Sequence, residues 1–376
     1  MSFRKTLSDF LHNVQSTLFP MLENDLGKLS LEHKKLAAIL ELIRIEEYLP
    51  YTRFNNGRPC EDRSQIARAF IAKIVFKLNY TKQLIKLLKI DKKLKVICGW
   101  NVSETIPSES KFSRAFKEFS QTKLPETVHQ ALLKEIYKDQ IVDHIVKDSM
   151  PLEVREKHVK KGNKEERRKK RNEKMAKKRR GELNRRQRQL KEENLDKMIN
   201  DLPNLCDKGM KKSAQKYTKI WKGYKLHAAV DDHCIPIAVI VTSASLNDCE
   251  AAIPLATKAH QITQNYYDLM DAAYDHPEIK EHSISLGHIP VIDKCPQNAS
   301  QKAEKEAEKK RKKHLNFQTA EDKRYRERFS KERFNAMYKC FHGGSEIFYR
   351  GHSKVSCHVM FGVLTLAASI LINLIQ

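Results

Sequence analysis

Residues Tyr325 to Lys339 read YRERFSKERFNAMYK, and the rest of the chain is organised around what this stretch can do. Its residues favour helix, and no Pro or Gly interrupts it. At about 100° per residue, Tyr325, Arg328, Glu332 and Lys339 fall within roughly 60° of one another on one face. Phe334, Met337 and Phe341 lie opposite and form the expected core face. A helix that aims a carboxylate between two cations and an aromatic ring suits an anionic ligand and a metal ion. A solvated face with i,i+4 pairs such as Arg328–Glu332 is the other reading of the same pattern.

Composition narrows the choice. A chain of 376 residues with a formal charge of +24 has room for two domains and attracts polyanions, nucleic acid first among them. The cysteines at 60, 98, 206, 234, 249, 295, 340 and 357 contain no CxxC pair. That spacing speaks against a zinc cluster or a disulfide scaffold and suits a reducing cytoplasm. The opening MSFRKTLSDFLHNVQ lacks the apolar core of a signal peptide. Val359 to Ile372 is uncharged but short for a membrane span, so a buried helix or strand–helix end is expected there and no membrane partner.

Upstream, residues 1–140 read as an all-helical N-terminal domain able to bind DNA ends or to serve as a packing platform. Apolar residues at 36, 39, 40 and 43 keep a helical period, and Asn55 to Pro59 is a break. Further helices are expected over Ile66–Leu78, Tyr80–Ile90, Lys111–Phe119 and Val128–Tyr137, with Phe112, Phe116 and Phe119 on one side.

From Ile141 the period changes to that of strands, and residues 141–376 are expected to form an α/β domain with a mixed sheet. Ile145 to Asp148 is a short strand ending in a carboxylate. Tyr224–Val230 and Ile235–Thr242 make a hairpin around Asp231-Asp232-His233, and Tyr266–Met270 leads into Asp271. Two charged insertions interrupt the domain, at about 155–218 and 296–322. Between Lys160 and Lys191, 17 of 32 residues are Lys or Arg, too many for a core and suited to an arm that meets phosphate. Trp221 can stack on an unpaired base or simply close a strand edge.

Ligands of open sheets gather at the carboxyl ends of strands, where Asp148 and Asp271 are placed, and Glu332 sits on a helix able to pack alongside. Converging carboxylates repel one another unless divalent cations intervene, and oxygen-only ligands favour Mg²⁺ or Mn²⁺ over zinc. Two such ions can drive an in-line phosphoryl displacement. Taken singly, each Asp can instead be a turn or cap carboxylate.

The spacing Tyr325, Arg328, Glu332, Lys339 resembles the signature of insertion-sequence transposases of the DDE class. Gly223-Tyr224-Lys225-Leu226-His227, Val241 through Asp248, and Asp271-Ala272-Ala273-Tyr274-Asp275 are similar to further stretches of that family. Asn247 stands where a His is frequent and Ala273 where Gly is usual. The resemblance implies an RNase H-like catalytic core with mixed sheet, preceded by the helical domain. It places metal ligands at Asp148, Asp271 and Glu332, holding two Mg²⁺ or Mn²⁺ ions. Tyr325, Arg328 and Lys339 would contact DNA phosphates. Asp231, Asp232 and Asp275 are alternatives for a misplaced ligand. The implied reaction cleaves double-stranded DNA at transposon inverted-repeat ends and joins the 3′-OH to target DNA, with a homodimer or higher assembly on DNA in the cytoplasm, at the nucleoid. A nuclease without strand transfer and a catalytically silent nucleic-acid binder share the same sequence features.

Overall fold

From Leu31 onward the apolar periods of the sequence become helices in the computed structural model, which describes residues 3–49, 61–138, 140–159, 164–212, 218–294, 296 and 298–374. The expected break at Asn55 to Pro59 lies outside the described residues. The chain divides into two compact units. One comprises Met1–Lys138, Leu152–Glu156 and Asn335–Gln376, and the other Asp139–Pro151 and Lys157–Phe334. The sequence boundary near residue 140 marks entry into the sheet, but the C-terminal segment from Asn335 belongs with the helices.

In the helical unit, Ser30 caps the helix Leu31–Ile43 and Asp62 caps Arg63–Val75, each side chain accepting a backbone N–H of the first turn. The hub is the C-terminal helix His352–Asn373. By length and composition it could cross a membrane, yet every residue from Cys357 to Ile372 is buried. It packs against Leu31–Ile43, Arg63–Val75, Glu109–Gln121 and Leu124–Ile136. The three expected phenylalanines do share a face. Phe112, Phe116 and Phe119 lie with Phe361 around the ring of Phe70, at centroid distances of 4.8 to 6.3 Å. Each such side chain contributes about 1.5–3 kcal/mol by burial.

The second unit carries a six-stranded sheet. Its strands are β1 (Ile141–Glu153), β2 (Asp207–Lys212), β3 (Thr218–Val230), β4 (Pro236–Ser243), β5 (Gln264–Met270) and β6 (Ile289–Ile292). The order is β2-β3-β1-β5-β6, with β4 also paired to β3. The β2–β3 and β3–β4 pairs are antiparallel, while β1–β5 and β5–β6 are parallel. Helix Ala252–His260 lies between β4 and β5, and helix Pro277–Ser285 connects the parallel neighbours β5 and β6, as such a pair requires. This mixed sheet, preceded by an all-helical region, is the expected RNase H-like architecture.

Several local expectations are corrected. Asp148 lies inside β1, because the strand runs on to Glu153. Tyr325 to Lys339 is not one helix: Ala320–Tyr325 passes through a 3₁₀ turn, Arg326–Arg328, into Phe329–Phe341. In a 3₁₀ turn residues i and i+3 eclipse, and here the Arg328 guanidinium donates to the Tyr325 hydroxyl and lies 4.9 Å from its ring centroid. The buried positions of the last segment are Ser330, Lys331, Phe334 and Tyr338, while Phe341 is exposed. The first insertion is only partly an arm. Helix Lys164–Arg179 is a run of charged residues, but Arg185–Lys191 is pinned by Arg186 to Glu250 at 2.9 Å and by Arg185 to Asp201 at 3.0 Å, and β2 joins the sheet. Trp221 is buried over Gly209, where a Cβ would overlap its indole, and its Nε1 donates to the Tyr224 carbonyl at 3.0 Å. It is a packing residue.

Candidate active site

The parallel register of β1 and β5 decides where the first two carboxylates go. Its last pairs are Val146↔Leu269 and Lys147↔Met270. One step further along both strands come Asp148 and Asp271, side by side and on the face opposite Lys147 and Met270. Asp271 leaves β5 directly into the 3₁₀ turn Ala272–Tyr274, its Oδ1 accepting the Ala273 N–H at 2.9 Å. Burial, and after it the charge of Asp148, pushes the Asp271 carboxyl above the usual carboxylate range, with Arg328 opposing.

The Tyr325–Arg328 pair faces the same place. Burial raises the Tyr325 phenol and Arg328 pulls it back, while Asp293 and Asp271 add to the rise. Glu332 is exposed. Among the described residues, no group of three or more His, Cys, Asp or Glu side chains is close enough to hold a metal ion. The structure thus sets Asp148 beside Asp271, while Glu332 is exposed to solvent. Lys339 is half-buried and belongs to the helical unit.

The alternative ligands are engaged elsewhere. Asp231 closes the β3–β4 turn, accepting the Ile235 N–H at 2.6 Å. Asp232 accepts the His144 N–H and meets its ring, both at 3.0 Å. Asp275 pairs with Lys280 at 2.5 Å.

A third carboxylate, Asp248, reaches the site through its charge, and reading the sequence for strand-end acids misses it. Lys225 Nζ donates to it at 2.9 Å, and the Ser149 hydroxyl donates as well. Burial alone would raise its carboxyl, but His227, Lys225 and Ser149 hold it below the usual range. The signal lies in the two family-like stretches that contain Lys225, His227 and Asp248. Lys331 is the other residue missed. It is 1% exposed, and burial pushes its ammonium down to about 8 against the opposing charges of Asp148 and Asp248. Burial likewise takes the His227 imidazole down to about 4.

Asp148 and Asp271 themselves offer carboxylate oxygens, the donor type that a hard cation takes. Three buried polar atoms in this neighbourhood, Lys331 Nζ, His227 Nδ1 and Tyr274 Oη, make no hydrogen bond among the described residues. Unsatisfied groups at this density are what a site built for a further polar or ionic guest leaves behind. Asp148 and Asp271 therefore fit as two carboxylates of a divalent-cation site.

Comparison with protein families gives two matches. Residues 204–367 match the transposase DDE domain, and residues 25–118 match a second transposase domain, DUF772. Asp271 and the Tyr325–Lys339 stretch fall within the first match, and Asp148 lies upstream of it. No curated protein and no solved structure matches the chain.

Proposed function

Since the chain belongs to the DDE transposase family, we propose that it cuts phosphodiesters at transposon ends and joins the freed 3′-OH to target DNA. The observation that carries this reading is the β1–β5 register, which sets Asp148 beside Asp271. These two residues are the proposed holders of Mg²⁺ or Mn²⁺, with Glu332 completing the set once DNA is bound. The bound ions would activate a water or 3′-hydroxyl and stabilise the leaving oxygen.

The chain's own side chains do the rest. Arg328, already oriented by Tyr325, holds a nonbridging phosphate oxygen by a charge-assisted bond. Asp248, fixed by Lys225 and Ser149, buttresses the site from the β4 side. Cutting and joining are both phosphodiester displacements and differ only in the nucleophile, so one site serves both. Two ends need two such sites, hence a homodimer or higher assembly on DNA.

The test is Mg²⁺-dependent nicking of a labelled terminal fragment, followed by its joining to a plasmid. Asp148→Ala, Asp271→Ala and Glu332→Ala should each lose more cleavage than the roughly 10–100-fold that an outer-shell metal partner is worth. Gel shifts should show DNA retained. Full cleavage by any one variant removes that residue from the site. Cleavage without joining in the unmodified protein would reduce the activity to that of a nuclease.

A further inference from the structure

β2 and residues 218–223 of β3 form a two-stranded antiparallel ribbon, in the register Lys208↔Lys222, Gly209↔Trp221 and Met210↔Ile220. Directly opposed residues share a face, and successive residues alternate between faces. One face is closed, because Trp221 is buried over Gly209, whose added Cβ would overlap the indole. The other carries Lys208, Met210, Ile220 and Lys222, all four exposed. Met210 is 65% and Ile220 63% exposed, so an apolar pair stands in water directly beside a pair of lysines. No Asp or Glu occupies a position on this face of the ribbon. The solvent face of an antiparallel sheet is ordinarily polar. Lysines alone would guard such an edge against pairing, and the apolar pair between the strands adds nothing to that defence.

We propose that this face seats in a groove of duplex DNA, with Lys208 and Lys222 on phosphates and the Met210–Ile220 pair against the sugars and base edges between them. A two-stranded ribbon is narrow enough to enter a groove, and Met and Ile are among the apolar side chains that groove-binding proteins press against DNA. Charge complementarity selects this occupant. A second copy of the chain seated on the same face would set lysine against lysine. Three residues along β3 stands Lys225, whose Nζ holds Asp248 at 2.9 Å, so the ribbon continues the strand that reaches the candidate site. The assignment rests on the reading of the chain as an enzyme of duplex DNA and is independent of which residues hold the metal.

The experiment titrates the full chain against a fluorescein-labelled duplex of arbitrary sequence over a range of salt, in EDTA so that nothing is cut. Lys208→Gln/Lys222→Gln should lower the slope of log K against log salt by about 0.9 for each lysine. Met210→Ser/Ile220→Ser should weaken binding about tenfold at every salt concentration and leave the slope as it was, since apolar contact displaces no counterions. All four side chains are exposed, so each double variant should melt with the unmodified protein. Should one melt lower, Lys222→Gln and Ile220→Ser alone take its place and are read in the same way. An unchanged slope in the lysine variant overturns the proposal, and so does unchanged affinity in the apolar one. Loss of self-association by Met210→Ser/Ile220→Ser in sedimentation without DNA, with DNA affinity kept, assigns the face to a second copy and overturns it too. If the unmodified chain binds no duplex, the proposed function falls and the ribbon's role with it. If it binds and cuts DNA while the variants bind as tightly and with the same slope, only the ribbon's role falls.

Discussion

Lys147 and Asp268 form an ion pair at 2.5 Å with both side chains closed off from solvent. They stand one residue before Asp148 and three before Asp271, on the two strands whose register sets those aspartates side by side. Asp268 also accepts from Asn265 at 3.0 Å and from the Ser283 hydroxyl, and His288 lies at 3.3 Å. Burial would raise its carboxyl, but Lys147 and His288 hold it well below the usual range. Lys147→Met strands Asp268 as a buried charge and should cost roughly 3–5 kcal/mol, with part recovered in Lys147→Met/Asp268→Asn. Urea denaturation measures both, and a neutral single variant would mean that the pair does not hold the two strands in register.

In the basic insertion Arg185–Lys191 is tied to Glu250, Glu278 and Asp201, so the helix Lys164–Arg179 is the stretch to test against DNA. Deleting residues 164–180 should weaken DNA binding and reduce the slope of log K against log salt by about 0.9 for each phosphate that the helix neutralises. Extending the deletion through Lys191 should also lower stability. An unchanged salt slope in the shorter deletion would show that this helix does not touch phosphate.

Acid should destabilise the protein before its carboxylates titrate. Burial pushes His227, His282 and His342 down to about 4, and His358 to about 3. In the unfolded chain these rings titrate near the ordinary value of about 6.5. Between about 6.5 and 4 the unfolded state holds more protons than the folded one, so stability rises with pH across that window and is lost on acidification. The melting temperature should fall steadily from about pH 7 to about pH 4.5. His358→Gln, which can still donate to the Gly343 carbonyl now 3.1 Å from Nε2, should flatten the fall by about one proton's worth. A flat profile in the unmodified protein would contradict the buried neutral rings.

Gly362 sits in the middle of the C-terminal helix, where Ala would normally gain about 0.5–1 kcal/mol. Here an added Cβ would collide with the His342 carbonyl oxygen and come within 2.9 Å of the Tyr338 ring. Backbone cannot yield as a side-chain tip does, so overpacking, at about 1–3 kcal/mol, outweighs the helix propensity. Gly362→Ala should therefore lower the melting temperature. A rise would mean that the segment Tyr338–His342 moves aside at little cost.

How much of the molecule is legible in its sequence depends on the range of the interaction. The aromatic face of Phe112, Phe116 and Phe119 can be read directly, because a helical period fixes which side chains share a side. So can the β3–β4 hairpin, because short spacing and a polar turn are local properties. The Tyr325–Arg328–Glu332–Lys339 spacing points to the right family while misjudging the backbone. The 3₁₀ turn at Arg326–Arg328 accompanies one interaction between two side chains, which propensity does not weigh. The docking of Arg185–Lys191 is hidden for a similar reason: a run of positive charge looks solvated until the acidic partners that cover it are known.

The sequence by itself determined the helical region, the strands that follow it, the basic character of the insertions and the identity of Asp148 and Asp271 as strand-linked acids. Only the tertiary structure decided that those two are neighbours, that the charge of Asp248 reaches them, and that Glu332 is exposed while Lys331 next to it is buried. Periodicity records what each residue prefers within a few neighbours along the chain. Strand register and the field felt by a buried charge arise from residues far apart in sequence, and they exist only once packing has brought those residues together.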